Sequence, residues 1–290
     1  MKILYKAALV LEGGALRGQY TAGVVDSFLA NGIEFDCVVG VSAGALCGAN
    51  FVSKQFGRVT NVNTGYRHRR DYISMTRMLK KESIINLDFL FADHGWDWHQ
   101  FDERAYQRSA SNFIIVATSL ATGKAVTFEK PTGDDLITAL KASSSIPFIG
   151  DPQKTSKGEC LDGGVADSIP YDLALKEGFD KMVIIRTRDV NFRKKPSSHF
   201  EKMMYRRVYK DYPAFIQTGI NRPLVYNQQV SGIANLVDSG KALCIAPQHP
   251  VKVSRLEHNT KKLTALYLQG RKDGDSQIAA IRQFLADKAY

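Results

Sequence analysis

The chain has 290 residues, 44% hydrophobic and 23% charged, the make-up of a folded globular protein and not of a disordered one. Its formal net charge of +10 suits an acidic partner: an anionic membrane surface, nucleic acid or an anionic substrate. The four cysteines, Cys37, Cys47, Cys160 and Cys244, are scattered and form no C-x-x-C pair, which argues against a disulfide framework or a zinc site. Cys37 and Cys47 lie in apolar contexts and read as small core residues. The N-terminal run is broken by Lys6 and stopped by Glu12, too short for a secretory signal. No run approaches the roughly 18 apolar residues of a membrane-spanning helix. The expectation is a cytoplasmic protein, compatible with peripheral membrane contact.

In chain order, Ala7 to Leu11 reads as a strand buried on both faces, running into Glu12-Gly13-Gly14-Ala15-Leu16-Arg17-Gly18. A helix is predicted from Gln19 to Ala30, with Val24, Val25, Phe28 and Leu29 on one face and Asn31-Gly32 ending it. Phe35 to Val41 is an apolar strand leading into Gly40-Val41-Ser42-Ala43-Gly44, and a small-residue helix follows. A serine between strand and helix sits on a sharp turn, where a Cβ at either flanking glycine would clash. Both Gly-rich loops then fall at the carboxyl ends of adjacent strands, the edge where open α/β sheets place their sites.

Residues 55–111 read as a packed insertion or lid. The stretch is basic through Arg58, Arg67, Arg69, Arg70, Arg77, Lys80 and Lys81, and Ile84 to Phe91 is apolar. Asp93, His94, Asp97 and His99 invite a metal reading, but polar loop ends of a packed insertion explain them better. Asn112 to Leu120 is a strand, turned by Ala121–Lys124 into a partner from Ala125 to Phe128. Asp134-Asp135 caps a helix through Leu140 to Ser143, which Ala142 to Phe148 breaks. A short strand, Glu159–Leu161, delivers Asp162-Gly163-Gly164; a helix starts near Pro170, and Lys181 to Ile185 is another buried strand.

From Arg193 to Lys210 the chain is strongly basic with interleaved Met203, Met204, Tyr205, Val208 and Tyr209. A membrane-facing amphipathic helix and a solvated helical face both fit this pattern. Ala242 to Ala246 is a last strand. Asn259 to Ala289 is helical, with Gly270 and Gly274 as points where it bends or splits. With no linker or repeat, residues 1–290 read as one hydrolase domain, with a core over 7–190 and a basic, helical portion over 191–290.

An alcohol nucleophile such as Ser42 needs a base, donors for an oxyanion and shelter from water. The Gly13-Gly14 loop supplies donors, because the helix after it leaves its first amides unpaired and adds positive potential. The loop is neither G-x-G-x-x-G nor G-x-x-x-x-G-K-[ST]. A Ser-acid-His triad lacks support: His199, His249 and His258 lie in no motif that aims them. Asp162 sits at a strand end in Asp-Gly-Gly, a turn that exposes a carboxylate. A Ser42–Asp162 dyad is therefore expected. A carboxylate is a weak base in water and serves where a pocket desolvates it.

Gly13-Gly14-Ala15-Leu16-Arg17-Gly18, Gly40-Val41-Ser42-Ala43-Gly44 and Asp162-Gly163-Gly164, in that order, resemble the three signatures of the patatin-like phospholipase family. Ala142-Ser143-Ser144-Ser145-Ile146-Pro147 resembles that family's Ala-Ser-x-x-x-Pro segment. The resemblance covers roughly residues 7–190, and the tail is similar to the bacterial cytoplasmic branch. It implies a three-layer α/β/α fold with a mostly parallel central sheet, and hydrolysis of a fatty-acyl lipid by a Ser-Asp dyad with no metal or other cofactor. Ser42 carries over as nucleophile, Asp162 as its partner, and Gly13, Gly14 and Ala15 as the oxyanion loop. The family commonly has glycine where this chain has Ala15; if that position needs φ > 0, the methyl costs about 1 kcal/mol. Arg17 matches a basic residue frequent in the family, and either neutralises a lipid phosphate or anchors the loop. The basic stretches 58–81 and 193–210 favour an anionic bilayer. Two other readings are a soluble-substrate esterase or thioesterase with the same dyad, and a catalytically idle lipid- or anion-binding protein. Nucleic-acid binding has no RNP, helix-turn-helix or zinc motif behind it.

Overall fold

A computed structural model describes residues 3–69, 72, 86 and 100–288. Its strands are β1 (Ile3–Leu11), β2 (Ile33–Val41), β3 (Asn112–Ser119), β4 (Ala125–Glu129), β5 (Gln153–Thr155), β6 (Gly158–Asp162), β7 (Met182–Ile185) and β8 (Ala242–Ile245). Its helices are α1 (Gly18–Ala30), α2 (Ala43–Val52), α3 (Arg58–Gly65), α4 (Glu103–Arg108), α5 (Gly133–Ser144), α6 (Tyr171–Lys176), α7 (His199–Val208), α8 (Pro213–Asp238) and α9 (Thr260–Phe284).

The near-continuous apolar runs of β1, β2, β3 and β7 suit strands covered on both faces. They form the parallel centre of one sheet, ordered β5-β6-β3-β2-β1-β7-β8. Strands β4, β5 and β6 join it antiparallel. Alternation along β1 sends Ala7, Leu9 and Leu11 to one face, against α1, α2, α5 and α9, and Ala8 and Val10 to the other, against α6 and α8. The result is the expected three-layer α/β/α arrangement. The chain leaves β1 toward β2 and β3 on one side and returns to β7 and β8 on the other. The loop after β1 therefore lies at the topological switch point, where such sheets open a crevice.

One detail of register positions the site. Ile114 to Val116 pair with β2 and β4, while Ala117 and Thr118 pair with β4 and β6. Strands β2 and β6 therefore share one edge of β3, and β6 takes over where β2 ends. Val41 stands opposite Val116 and Asp162 opposite Ala117. The residue just past β2, Ser42, thus meets the last residue of β6.

Two sequence expectations are corrected, and one helix is added. Helix α9 does not split at Gly270 and Gly274; it runs unbroken over Thr260–Phe284. Those glycines let it press on α1, since a Cβ at Gly270 would stand 2.1 Å from the Tyr20 carbonyl oxygen and one at Gly274 2.8 Å from Ser27 Cβ. Thr132, not Asp134 or Asp135, occupies the N-cap of α5; both aspartates lie in its first turn, where the helix dipole favours them. Helix α8 is masked in the sequence, because Pro223 falls inside it and an internal proline normally ends a helix. Its buried positions Phe215, Gly219, Tyr226, Val230 and Ile233 carry the helical period that was there to be read.

Part of the 55–111 insertion, including Asp93, His94, Asp97 and His99 and all of the run Ile84–Phe91 except Asn86, lies outside the described residues. Of its cations, Arg67 is 1% exposed and donates to the carbonyls of Leu256 and Glu257. Arg58 donates to Asn50 Oδ1 at 3.1 Å. These two serve internal contacts and are not part of a solvated basic face. The cysteines are all free, and Cys37 and Cys47 are buried.

Candidate active site

Ser42 is the pivot between β2 and α2, at φ 55° and ψ −124°. A non-glycine residue in that region costs about 1–3 kcal/mol and persists only where its surroundings enforce it. The flanking glycines are part of that enforcement: a Cβ at Gly40 would stand 2.7 Å from Ala45 Cα, and one at Gly44 2.3 Å from the Leu11 carbonyl oxygen. The Ser42 N–H donates to Ser143 Oγ at 2.8 Å, and Ser143 Oγ donates to the Val116 carbonyl at 2.6 Å.

Asp162 ends β6, 5% exposed. Its Oδ2 accepts the Ser42 hydroxyl at 2.6 Å, and its Oδ1 accepts the Gly164 N–H at 2.8 Å. Gly163 is required by contact, since a Cβ there would come within 2.1 Å of the Val116 carbonyl oxygen. Thr118 Oγ1 donates to the Asp162 carbonyl at 2.9 Å, and the Asp162 N–H donates to the Ser145 carbonyl at 2.8 Å. The broken end of α5 therefore holds both partners, Ser42 through the Ser143 hydroxyl and Asp162 through the Ser145 backbone. In the sequence Ser143 stands out only as part of the Ala142–Pro147 motif; its role becomes visible in three dimensions.

The Gly-rich loop faces the same point, and its amides differ. The Gly13 N–H reaches the Ser168 carbonyl at 3.4 Å, whereas those of Gly14 and Ala15 have no hydrogen-bond partner among the described residues. Ala15 sits at φ 48°, so the position does require the left-handed region. Buried Glu12 fixes the loop: its Oε2 accepts the Thr187 N–H at 2.5 Å and its Oε1 the Tyr226 hydroxyl at 2.8 Å, while Thr187 Oγ1 donates to the Gly13 carbonyl at 3.1 Å. A Cβ on Gly14 would lie 2.6 Å from Thr187 Oγ1.

Two pockets meet at Ser42. A cleft of about 480 Å³ takes in Ser42, Asp162, Gly13, Gly14 and Ala15, and also Arg17, Arg188, Lys194, Arg222 and Arg255. That volume lies in the ordinary range of ligand sites. A smaller, mainly apolar pocket of about 60 Å³ shares Ser42, Ala15, Ile146 and Arg255 with the cleft and is further lined by Leu16, Ala43, Leu46, Cys47 and Val59, with Asn63, Tyr72 and Ser144 as its polar groups. Arg17 is 7% exposed, and its Nε has no partner among the described residues. Burial, then the charges of Arg188 and Arg255, lower its pKa. Of the described histidines, His68, His199, His249 and His258, none lines the cleft.

A model of patatin-like phospholipases matches residues 9–175, and the chain belongs to that family. A second model, described as a domain of unknown function (DUF6363), matches residues 212–286. The chain is 31% identical over 185 residues to the uncharacterized protein YjjU of Escherichia coli K12, covering 63% of this chain and 52% of that protein. It is 23% identical over 201 residues to the probable lipid hydrolase 463L of Invertebrate iridescent virus 6, covering 61% and 66%. The match thus spans about half to two thirds of these relatives' lengths. Among solved structures, VipD from Legionella pneumophila aligns over 98% of this chain and 67% of its own at 14% identity and a TM-score of 0.47. The type III effector ExoU aligns over 95% and 53% at 13% identity and a TM-score of 0.40.

Proposed function

We propose that this protein is a serine acyl hydrolase that cleaves fatty-acyl lipid esters, as phospholipases A and lysophospholipases do. The observation that carries the reading is the 2.6 Å hydrogen bond from the Ser42 hydroxyl to Asp162, made at a strained elbow inside a cleft. The probable lipid hydrolase among the relatives supports the substrate class. The small apolar pocket beside Ser42 supports it too, since the methylenes next to a fatty-acyl ester gain by leaving water there.

In this mechanism Ser42 Oγ attacks the ester carbonyl carbon as its proton passes to Asp162 Oδ2. The negative charge that develops on the carbonyl oxygen is met by the free amides of Gly14 and Ala15, with Gly13 beside them. Removing one such donor in other hydrolases costs about 3 kcal/mol of transition-state stabilisation. The intermediate collapses, the C–O bond breaks, and Asp162 returns the proton to the departing alcohol. Asp162 then takes a proton from water, the hydroxide attacks the acyl-serine, and the fatty acid leaves as Ser42 recovers its proton. The N–H of Ser42 is engaged by Ser143, so the loop after β1 supplies the donors.

The whole chain acts as one hydrolase unit, which the continuous core from Tyr5 to Leu285 supports. No helix among the described residues is long and apolar enough to cross a membrane. We place the enzyme in the cytoplasm, docking peripherally on anionic bilayers. Helix α7 supports this: Tyr205 and Tyr209 face inward, while Phe200 and Met203 are 65% and 46% exposed beside exposed Arg206 and Arg207. A soluble ester or thioester could use the same dyad, but the apolar pocket favours a lipid.

The test is fatty-acid release from dispersed monoacyl and diacyl glycerolipids by wild type, Ser42→Ala and Asp162→Asn. Release by wild type alone supports the reading. Release that survives Ser42→Ala defeats it, and a folded wild type with no activity on any acyl ester moves the lipid- or anion-binding reading to first place.

A further inference from the structure

The larger arm of the site is strongly cationic, and all of its cations but Arg17 come from outside the segment that matches the patatin-like model. Lys194 belongs to the loop before α7, Arg222 to α8 and Arg255 to the loop before α9, while Arg188 follows β7. All four line the cleft with Arg17. Arg222 Nη2 lies 3.2 Å from where a Cβ on Gly164 would be, and Gly164 is the residue that holds Asp162 Oδ1. Lys194 Nζ lies 3.4 Å from Ser168 Oγ and 4.0 Å from the centre of the Tyr226 ring. The guanidinium of Arg222 is therefore beside the dyad, with Lys194 on the same wall.

The acids that line this cleft are already engaged. Glu12 accepts from Thr187 and Tyr226, Asp162 from Ser42 and Gly164, and Glu201 closes the capping box of α7 with Ser198. Among the described residues none of these five cations forms an ion pair, and the Nε atoms of Arg17 and Arg222 are buried without a partner. Burial, with the neighbouring Arg222 and Arg255 charges and against the opposing pull of Glu12 and Asp162, pushes the Lys194 ammonium well below the usual lysine range. Positive groups that outnumber the carboxylates around them are stabilised by an anion that accepts several of their hydrogen bonds at once.

We propose that Lys194, Arg222 and Arg255, backed by Arg188 and Arg17, form a phosphate subsite on the leaving-group side of Ser42, so that the preferred substrate is an acyl ester whose alcohol carries a phosphomonoester, an acylglycerol phosphate. This rests on the hydrolase reading above and adds to it a choice among substrates. The methylenes next to the ester lie at the small apolar pocket, the ester at Ser42, and the phosphate in the cationic arm. The C-terminal third of the chain then has a direct part in selectivity. A dianionic monoester engages more of these donors than a zwitterionic choline diester, whose own cation the cleft repels.

The test has a kinetic and a binding arm. Wild type, Arg222→Ala, Lys194→Ala and Arg255→Ala, each confirmed folded by circular dichroism, hydrolyse 1-acylglycerol 3-phosphate, 1-acylglycerol and 1-acylglycerophosphocholine of one chain length. The ratio of kcat/KM for the phosphate over the neutral lipid is expected to exceed ten in wild type and to fall about tenfold or more in Arg222→Ala. Binding is then measured by calorimetry in the Ser42→Ala background, with acylglycerol phosphate and with inorganic phosphate, so that it does not depend on turnover. Tight binding of the lipid that weakens about tenfold with Arg222→Ala supports the subsite, even if hydrolysis is never seen. Equal ratios across the three lipids, or lipid binding that the substitutions leave unaltered, overturns it while leaving the hydrolase reading intact. Inorganic phosphate binding as tightly as the lipid would overturn the lipid assignment, marking a site for the free anion. If Arg222→Ala does not fold, exposed Arg255 and half-buried Lys194 carry the same comparison.

Discussion

Ser143 is the residue on which the geometry of Ser42 rests most heavily. Replacing it by alanine removes one hydroxyl and leaves two buried backbone groups without that partner, the Ser42 N–H and the Val116 carbonyl. An orphaned buried amide costs about 1–3 kcal/mol. The carbonyl has a second lone pair within the sheet and adds less, so a loss of about 2–4 kcal/mol is expected. Part of the restraint holding Ser42 at φ 55° goes with it, and a small rotation there carries Oγ away from Asp162. The rate of acyl transfer should fall about tenfold or more, as mispositioning by an ångström does elsewhere. Urea unfolding gives the stability change, and hydrolysis of a small ester gives the rate. The neighbouring Ser144→Ala is the control: that hydroxyl is buried with no partner among the described residues, and its removal should be neutral or stabilising. If Ser143→Ala behaves like Ser144→Ala in both assays, the serine does not hold the elbow and the reasoning fails.

Other consequences are smaller but as direct. Ala15→Gly should raise stability by about 0.5–1 kcal/mol, the relief of a left-handed alanine less the added flexibility of the unfolded chain; a lower melting temperature would contradict the φ of 48°. Asp26 accepts from Tyr267 and the Gly57 N–H, and burial, only partly offset by these bonds and by Arg271, raises its pKa to about 6 from 3.8. The folded state then binds the extra proton between those values, so relative to Asp26→Asn the wild type should lose stability as pH rises from about 4 to about 6 and change little above. A relative stability that rises over that window would refute the assignment. Sedimentation with vesicles should show binding that grows with anionic lipid, weakens with salt and drops in Phe200→Ser/Met203→Ser; equal binding to neutral vesicles would remove the membrane role of α7.

The parts of this molecule legible in the sequence were those set by backbone constraint. Gly40, Gly44 and Gly163 are needed because other backbone lies within 2.1 to 2.8 Å of where a Cβ would be, and such positions leave a fixed pattern around Ser42 and Asp162. Gly270 and Gly274 suggest a bend or split in the sequence because spacing alone does not separate these from a helix contact; only the proximity of α1 does. Helix α8 was hidden by Pro223, and with it Arg222. Lys194, Arg222 and Arg255 meet across loops far apart in the chain and belong to no motif. Net charge suggests an anionic partner without saying where it would sit, and the fold gathers five basic side chains around one cleft.

The central claim is that Asp162 activates Ser42. Its most direct measurement is labelling with a fluorophosphonate, followed by peptide mapping, in wild type, Ser42→Ala and Asp162→Asn. Asp162→Asn preserves shape but removes the proton acceptor, and general-base assistance contributes about 10²–10⁴ in rate. One adduct per chain at Ser42, formed at least about a hundredfold more slowly in Asp162→Asn, is the predicted result. Labelling at another residue, or at Ser42 with a rate that Asp162→Asn leaves unchanged, would contradict it.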